Sequence, residues 1–136
     1  MDPVQRHKDD VKAHLLSTLT HLGYADSEGR VNQGALTRDA LATAGKYVGD
    51  FELDGTGKAN SHLVLAALGA MSAIDMVNAG QMQEATGLVE NLVGFVCGPR
   101  YAFSKQVKAG FLLAKDQLLP GSVGPSTGPP ITRAAP

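Results

Sequence analysis

The chain is poor in cysteine, in aromatic residues and in net charge. Its 136 residues include one cysteine, no tryptophan and only 5% aromatic residues. A single cysteine excludes an internal disulfide and a zinc knuckle with four ligands from one chain. The formal net charge of −1 gives no general attraction for phosphate, so we expect no nucleic-acid partner.

Two targeting features are also lacking. Residues 1–16 have no long apolar core of the kind found in a signal peptide. Residues 60–97 form the longest apolar stretch, but Asp75, Glu84 and Glu90 interrupt it, and a membrane span needs about 20 mostly apolar residues. We therefore expect a cytoplasmic or particle-associated protein, for example in a virion, and no membrane partner.

Helical periodicity dominates the chain up to Leu119. Apolar residues recur at steps of three and four, the period of an amphipathic helix. The pattern predicts an all-α bundle of four to five helices over residues 1–119, followed by an extended Pro/Gly-rich C-terminal arm over 120–136. The expected helices cover about 3–22, 33–48, 60–79, 81–97 and 101–119. Side chains expected to be buried include Val4, Val11, Leu15, Leu19, Leu22, Leu36, Leu41, Ala44, Phe103, Val107, Phe111, Ala114 and Leu118.

The stretch 60–97 permits two arrangements. Asn78, Ala79 and Gly80 can form a turn between two helices, because asparagine and glycine both tolerate a left-handed backbone. Alternatively, the stretch is one helix that runs unbroken from Asn60 to Cys97. We favour the turn, because so long a helix is uncommon in a small domain.

A series of small residues with a spacing of seven runs through this stretch. Its members are Ala59, Ala66, Ala73, Gly80, Gly87 and Gly94. Glycine within a helix costs about 1 kcal/mol relative to alanine. Close packing of another helix would compensate for that cost, so the series predicts a face that contacts a partner protein.

The C-terminal part of the chain adds two further candidate contacts. The last helix has a basic outer side with Lys105, Lys108 and Lys115, which is either a solvated face or a contact for phosphate or for an acidic neighbour. The arm is rich in proline and glycine and has too little apolar content to fold alone. We expect it to lie on another subunit, with Val123, Ile131 and Arg133 as its contact residues.

Two loops of the chain repeat each other. Residues 26–33 (DSEGRVNQ) align with residues 54–61 (DGTGKANS). Each has an acid, a glycine, a basic residue and an asparagine that opens a helix. The pattern resembles the calcium loops of the EF-hand and dockerin families. That resemblance implies Asp26, Glu28, Glu52 and Asp54 as candidate metal ligands.

The last ligand position of both loops departs from the family pattern. It holds Ala35 in the first loop and Leu63 in the second, where calcium normally takes a carboxylate. We therefore expect loop–helix units that keep the turn and the helix cap but bind no metal. No other cofactor is expected.

No constellation of residues indicates catalysis. Cys97 ends an apolar helix, which predicts a buried thiol. His62 has no serine or cysteine partner at a recognisable spacing. We expect no catalytic residues and no enzymatic activity.

The main functional hypothesis is a non-enzymatic structural or assembly subunit of a homo- or hetero-oligomeric complex. It would dock through the small-residue face and the C-terminal arm, and a virion connector or adaptor is one concrete form. One alternative is a regulatory or binding module built on the degenerate EF-hand/dockerin-like loops. The other is a small membrane-active protein whose helical hairpin inserts.

Overall fold

The computed structural model describes residues 2–48 and 61–119. Within these residues the chain is all-α, as predicted, and an isolated bridge between Ala25 and Val31 is the only β pairing. The bounds of the five described helices are α1 Pro3–Leu22, α2 Gln33–Val48, α3 Ser61–Asn78, α4 Met82–Cys97 and α5 Lys105–Leu118. The C-terminal arm lies outside the described residues.

Local sequence explains where α1 and α5 begin. The N-cap Asp2 accepts a 3.2 Å hydrogen bond from the backbone N–H of Val4, and Pro3 suits the first helical position because it has no N–H to leave unpaired. Ser104 caps α5 by accepting from the N–H of Val107 at 3.2 Å. This cap places the start of the last helix at Lys105, one turn later than the expected Tyr101.

A turn separates α3 from α4, which confirms the hairpin alternative for residues 60–97. Gly80 has a φ of 78°, in the left-handed region that glycine adopts without steric cost. Its N–H donates to the carbonyl of Val77 at 3.0 Å, and the N–H of Gln81 donates to Met76 at 2.8 Å. The chain thus reverses within a few residues, and α3 packs along α4.

Four helices close into a ring in which α1, α3, α4 and α5 each contact two neighbours. Lys12 of α1 donates to the side-chain oxygen of Asn78 at 2.9 Å, and Lys8 reaches towards Gly80, so the first half of α1 lies beside the end of α3. At the opposite end, the ring of His62 at the start of α3 contacts Phe103, and Phe103 contacts Phe95 near the end of α4. Successive helices of the ring therefore run antiparallel, and α2 packs outside the ring against α3.

The core consists of one side of each helix. The buried apolar side chains of α1 and α5 belong to the predicted stripes, and Leu15, Leu19 and Phe111 are among the largest of them. Thr18 of α1 is also fully buried, which the stripe did not predict. On α3 the buried side is built mainly from alanine. Its members Ala66, Ala67, Ala70 and Ala73 are all 0% exposed.

Four expected core residues instead face solvent. Val4 is 61% exposed, because α1 has 20 residues and its neighbour α5 only 14, so the first turn of α1 extends past the core. Leu41 is 68% exposed and Ala44 is also exposed, because α3 is the only described helix that packs against α2 and α2 buries Leu36 and Thr43 on another side. The Cys97 thiol is exposed, since it follows the buried Val96 and points about 100° away from it.

The contact between α1 and α5 is unusually close at Gly110. A Cβ atom added there would meet the side chain of Thr18, with the Thr18 Cβ 3.2 Å away and the carbonyl oxygen of His14 3.4 Å away. The Thr18 hydroxyl donates to that same carbonyl at 2.9 Å. The α5 backbone therefore rests directly on α1, and only glycine fits at this point.

We predict that Gly110→Ala destabilises the bundle. Overpacking a core costs about 1–3 kcal/mol, and the gain in helix propensity returns at most about 1 kcal/mol. The expected net loss is about 1 kcal/mol, measured as the free energy of unfolding in urea. Thr18→Ala in the same chain should recover part of the loss, because it removes the atoms that the new methyl group meets.

Gly87→Ala is the matched control. It changes the same residue type within a helix, but no neighbouring side chain or helix in the described part of the chain lies within 4 Å of the added Cβ. We expect this variant to gain about 0.5–1 kcal/mol from helix propensity alone. A Gly110→Ala variant as stable as Gly87→Ala would contradict the close contact between α1 and α5.

Candidate interaction surfaces

The turn at Gly80 divides the predicted series of small residues into two parts. Ala66 and Ala73 are fully buried in the bundle, so the chain itself covers them and they are not available to a partner. Gly80 is exposed within the turn, and Gly87 and Gly94 are exposed on α4. A spacing of seven places residues on one face only within a continuous helix, and this helix ends at Asn78.

The solvent side of α4 is a small and polar surface, which we call the α4 outer face. Gly87 and Gly94 lie along its centre, and a Cβ at either position would meet no other atom of residues 2–48 and 61–119 within 4 Å, apart from the backbone of α4 itself. The helix backbone is therefore uncovered at two places. The exposed residues of the α4 outer face are Gln83, Glu84, Gly87, Glu90, Asn91, Gly94 and Cys97.

Four rings, which we call the ring cluster, meet where α3 begins and α4 ends. Its members are His62, Phe95, Tyr101 and Phe103. His62 stacks on Tyr101 with ring centroids 5.5 Å apart and an interplanar angle of 9°, and it meets Phe103 edge-on at 5.1 Å. Phe95 lies 5.4 Å from both Tyr101 and Phe103. The cluster thereby fixes the connection 98–104 against α3 and α4.

The ring cluster has a closed side and an open side. Phe103 is 8% exposed, whereas Tyr101 is 36% exposed. The guanidinium carbon of the exposed Arg100 lies 5.6 Å from the centre of the Tyr101 ring, within the range of a cation–π contact. This surface was not predicted from the sequence, although three of the seven phenylalanines and tyrosines fall within residues 95–103.

The other predicted contact residues are only partly available. Lys105 is exposed on the first turn of α5, whereas Lys108 and Lys115 are half-buried. Val123, Ile131 and Arg133 lie outside the described residues, so their role stays a prediction.

The first calcium-like loop is held together by Asp26. One of its carboxylate oxygens accepts from the backbone N–H groups of Glu28 and Arg30, each at 2.9 Å. The other accepts from the Arg30 side chain at 3.0 Å, and Arg30 also contacts Glu28 at 2.8 Å. The hydrogen bond from the Arg30 backbone, with those from the Arg30 side chain and the Glu28 N–H, lowers the pKa of Asp26.

Asp26 and Glu28, the acids of the first loop, are therefore already paired with groups of the same loop. Arginine occupies the place beside Asp26 and Glu28 where a cation would otherwise bind, which repels a metal ion. Among residues 2–48 and 61–119, no group of three or more metal-ligating side chains comes together. Glu52 and Asp54 of the second loop lie outside the described residues.

The same loop caps and anchors α2, as the sequence predicts for its asparagine. The side-chain oxygen of Asn32 accepts from the N–H of Ala35 at 3.0 Å. The hydroxyl of the buried Tyr24 donates to Asp39 at 2.6 Å, and burial together with this hydrogen bond raises the pKa of Tyr24. The loop therefore has a structural role at the start of α2.

One helix in the described part of the chain, α3, is long and apolar enough to cross a membrane by length and composition alone. In the bundle, 44% of its 18-residue window is buried. A buried helix of a folded bundle has the same composition, so this finding alone favours neither use of α3.

Comparisons with protein-family models, with curated proteins and with solved structures find no match to this chain. Its function is therefore inferred from its own residues and contacts.

We predict that the stabilising role of Asp26 depends on pH. A carboxyl group whose pKa is lowered by folding stabilises the folded state above its unfolded pKa, about 3.9. This contribution is lost as the pH falls through the folded value. Asp26→Asn should therefore be less stable than the wild type at pH 6, and the difference should shrink towards pH 3.

Urea unfolding at the two pH values measures this difference, and an NMR titration of the Asp26 carboxyl group gives its midpoint directly. A midpoint at or above that of an ordinary aspartate would show that Arg30 does not engage the carboxylate in solution.

Addition of calcium should leave the melting temperature unchanged, because Arg30 already occupies the site.

Proposed function

We propose that this chain is a non-enzymatic subunit of a larger protein assembly and that a partner docks on the α4 outer face. The proposal rests on the position of Gly87 and Gly94 on the α4 outer face. Both lie within a helix and both face solvent. Apart from the backbone of α4 itself, no atom of the described residues lies within 4 Å of a Cβ built at either position.

Nothing within the described bundle requires glycine at these two positions. Neither has a left-handed backbone, and no described helix packs against either glycine as α1 packs against Gly110. Each glycine costs about 1 kcal/mol relative to alanine. A partner that packs directly against the helix backbone would offset this cost, because a Cβ at either position would hold it away.

The residues around the two glycines suit the edge of a protein interface. Glu84, Glu90 and Asn91 are exposed on the same side of α4. Such groups form the polar rim that surrounds the closely packed centre of an interface. The C-terminal arm, including Val123, Ile131 and Arg133, is proposed as a second contact that extends over the same or another subunit.

The assembly can be a homo-oligomer or a hetero-oligomer, and a virion connector or adaptor remains one concrete form of it. The proposal involves no cofactor and no nucleic acid. The regulatory-module alternative has less support, because Arg30 engages Asp26 and Glu28. The membrane alternative has less support because α3 contributes fully buried residues to the bundle core.

We predict that the double variant Gly87→Gln, Gly94→Gln folds at least as stably as the wild type but associates more weakly with its partner. Glutamine is a better helix former than glycine, so the free chain should be at least as stable as the wild type. The longer side chains would prevent close approach, and association should weaken by about tenfold or more, equivalent to about 1.4 kcal/mol. Ala109→Gln, on the exposed side of α5, is the matched control.

Sedimentation velocity measures self-association, and quantitative co-purification from the native host measures association with other proteins. The proposal expects at least one of the two to decrease in the double variant and neither to change in Ala109→Gln. A wild-type chain that is a compact monomer, with co-purifying proteins identical to those of the double variant, would contradict the proposal.

A further inference from the structure

The segment that connects α4 to α5 and continues through α5 is basic in sequence. Between Glu90 and Asp116 the sequence contains no aspartate or glutamate, but it contains Arg100, Lys105, Lys108 and Lys115. Arg100 and Lys105 are both exposed. The ion pairs found in the described residues involve only α1, α2 and the loop between them, so neither cation has a carboxylate partner there.

Arg100 is the better placed of the two cations to recognise a specific group. Its guanidinium lies over the Tyr101 ring, and that ring is held in parallel with His62. A guanidinium offers five N–H donors in a planar fork and can bind a carboxylate through two parallel hydrogen bonds. A fork held against a fixed ring loses less side-chain entropy on binding than a free one does.

We propose that Arg100, Tyr101 and Lys105, supported by the ring cluster, form a docking site for an acidic segment of a partner protein. A carboxylate of the segment pairs with Arg100, a second acid contacts Lys105, and an apolar side chain covers the exposed part of Tyr101. Tyrosine and arginine are among the residue types most enriched where a few side chains dominate binding energy. This site goes beyond the α4 outer face and does not depend on it.

Nucleic acid fits the same surface less well. Single-stranded nucleic acid binds where bases stack on free aromatic faces along a continuous basic groove. Here Tyr101 already stacks on His62 and carries the Arg100 guanidinium. The chain has a net charge of −1, and its exposed Glu84, Glu90 and Asp116 would repel a long polyanion.

NMR titration of the full-length chain tests the proposal. The probe is a short synthetic peptide of glutamate and leucine, and a lysine–leucine peptide of the same length is its control. We expect the glutamate peptide alone to shift the signals of Arg100, Tyr101, Lys105 and the His62 ring, with a Kd obtained from those shifts. Arg100→Glu should weaken binding by about tenfold or more, because it replaces an attraction with a repulsion.

Arg6→Glu is the matched control for charge. It makes the same change at an exposed residue of α1 and should keep the wild-type affinity. Tyr101→Phe keeps the ring, so it should retain binding while leaving the cluster folded. Thermal melting of each variant verifies that the bundle is intact.

Several results would overturn the site. The first is that the glutamate peptide does not bind. The second is that Arg100→Glu and Arg6→Glu weaken its binding equally. The third is that the NMR shifts spread over the lysines of α1 and α5. Tighter binding of oligothymidylate or of anionic phospholipid vesicles than of the glutamate peptide would also overturn it. If only this site fails, the double glycine variant still impairs association, so the two proposals are tested separately.

Discussion

The bundle depends on the small side chains of α3, because they allow one helix to contact three others. Ala66, Ala67, Ala70 and Ala73 are fully buried, and α3 packs against α1, α2 and α4. Alanine loses no side-chain entropy on burial and is the best helix former. Longer side chains at these positions would force the neighbouring helices apart or adopt strained rotamers.

The same use of small residues recurs at two other contacts. Gly69 of α3 leaves room for the side chain of Leu92, and Gly110 of α5 leaves room for Thr18. In both places the bundle itself occupies the space that the missing side chain leaves. Gly87 and Gly94 differ, because nothing in the described chain occupies their space. This contrast within one molecule distinguishes small residues that serve the fold from those that are available to a partner.

The series of small residues was predicted to form one face, and the structure divides it. The spacing of seven and the turn at Gly80 were both visible in the sequence. Residues seven apart share a face only within one continuous helix, so a turn inside the series excludes a single face. After the turn, the directions of the side chains of α4 no longer follow from the helical spacing in α3. The first two described members therefore face inwards and the last two face outwards, which no spacing rule could have indicated without the packing of α3 and α4.

Long amphipathic patterns were the most predictable part of the fold. The buried stripes of α1 and α5 follow from periodicity, apart from Val4, which lies beyond the end of its neighbouring helices. Leu41, Ala44 and Cys97 were wrongly predicted to be buried, because the faces of α2 and α4 that are buried depend on tertiary contacts. The ring cluster was missed for the same reason: His62 reaches Tyr101 and Phe103 only after the hairpin has folded. Asn32 was correctly predicted as a helix cap, whereas the pairing of Arg30 with Asp26 was not predicted.

The central claim is that a partner covers the α4 outer face, and Cys97 allows a direct measurement of that coverage. It is the single cysteine of the chain, it is exposed, and it follows Gly94 by one helical turn on the same side of α4. The rate of its alkylation by a maleimide can be compared between the purified chain in dilute solution and the chain inside intact cells of its native host. The account predicts rapid alkylation of the purified chain and much slower alkylation in cells, relative to a cysteine introduced at the exposed Ala109. Equal relative rates in the two settings would contradict it.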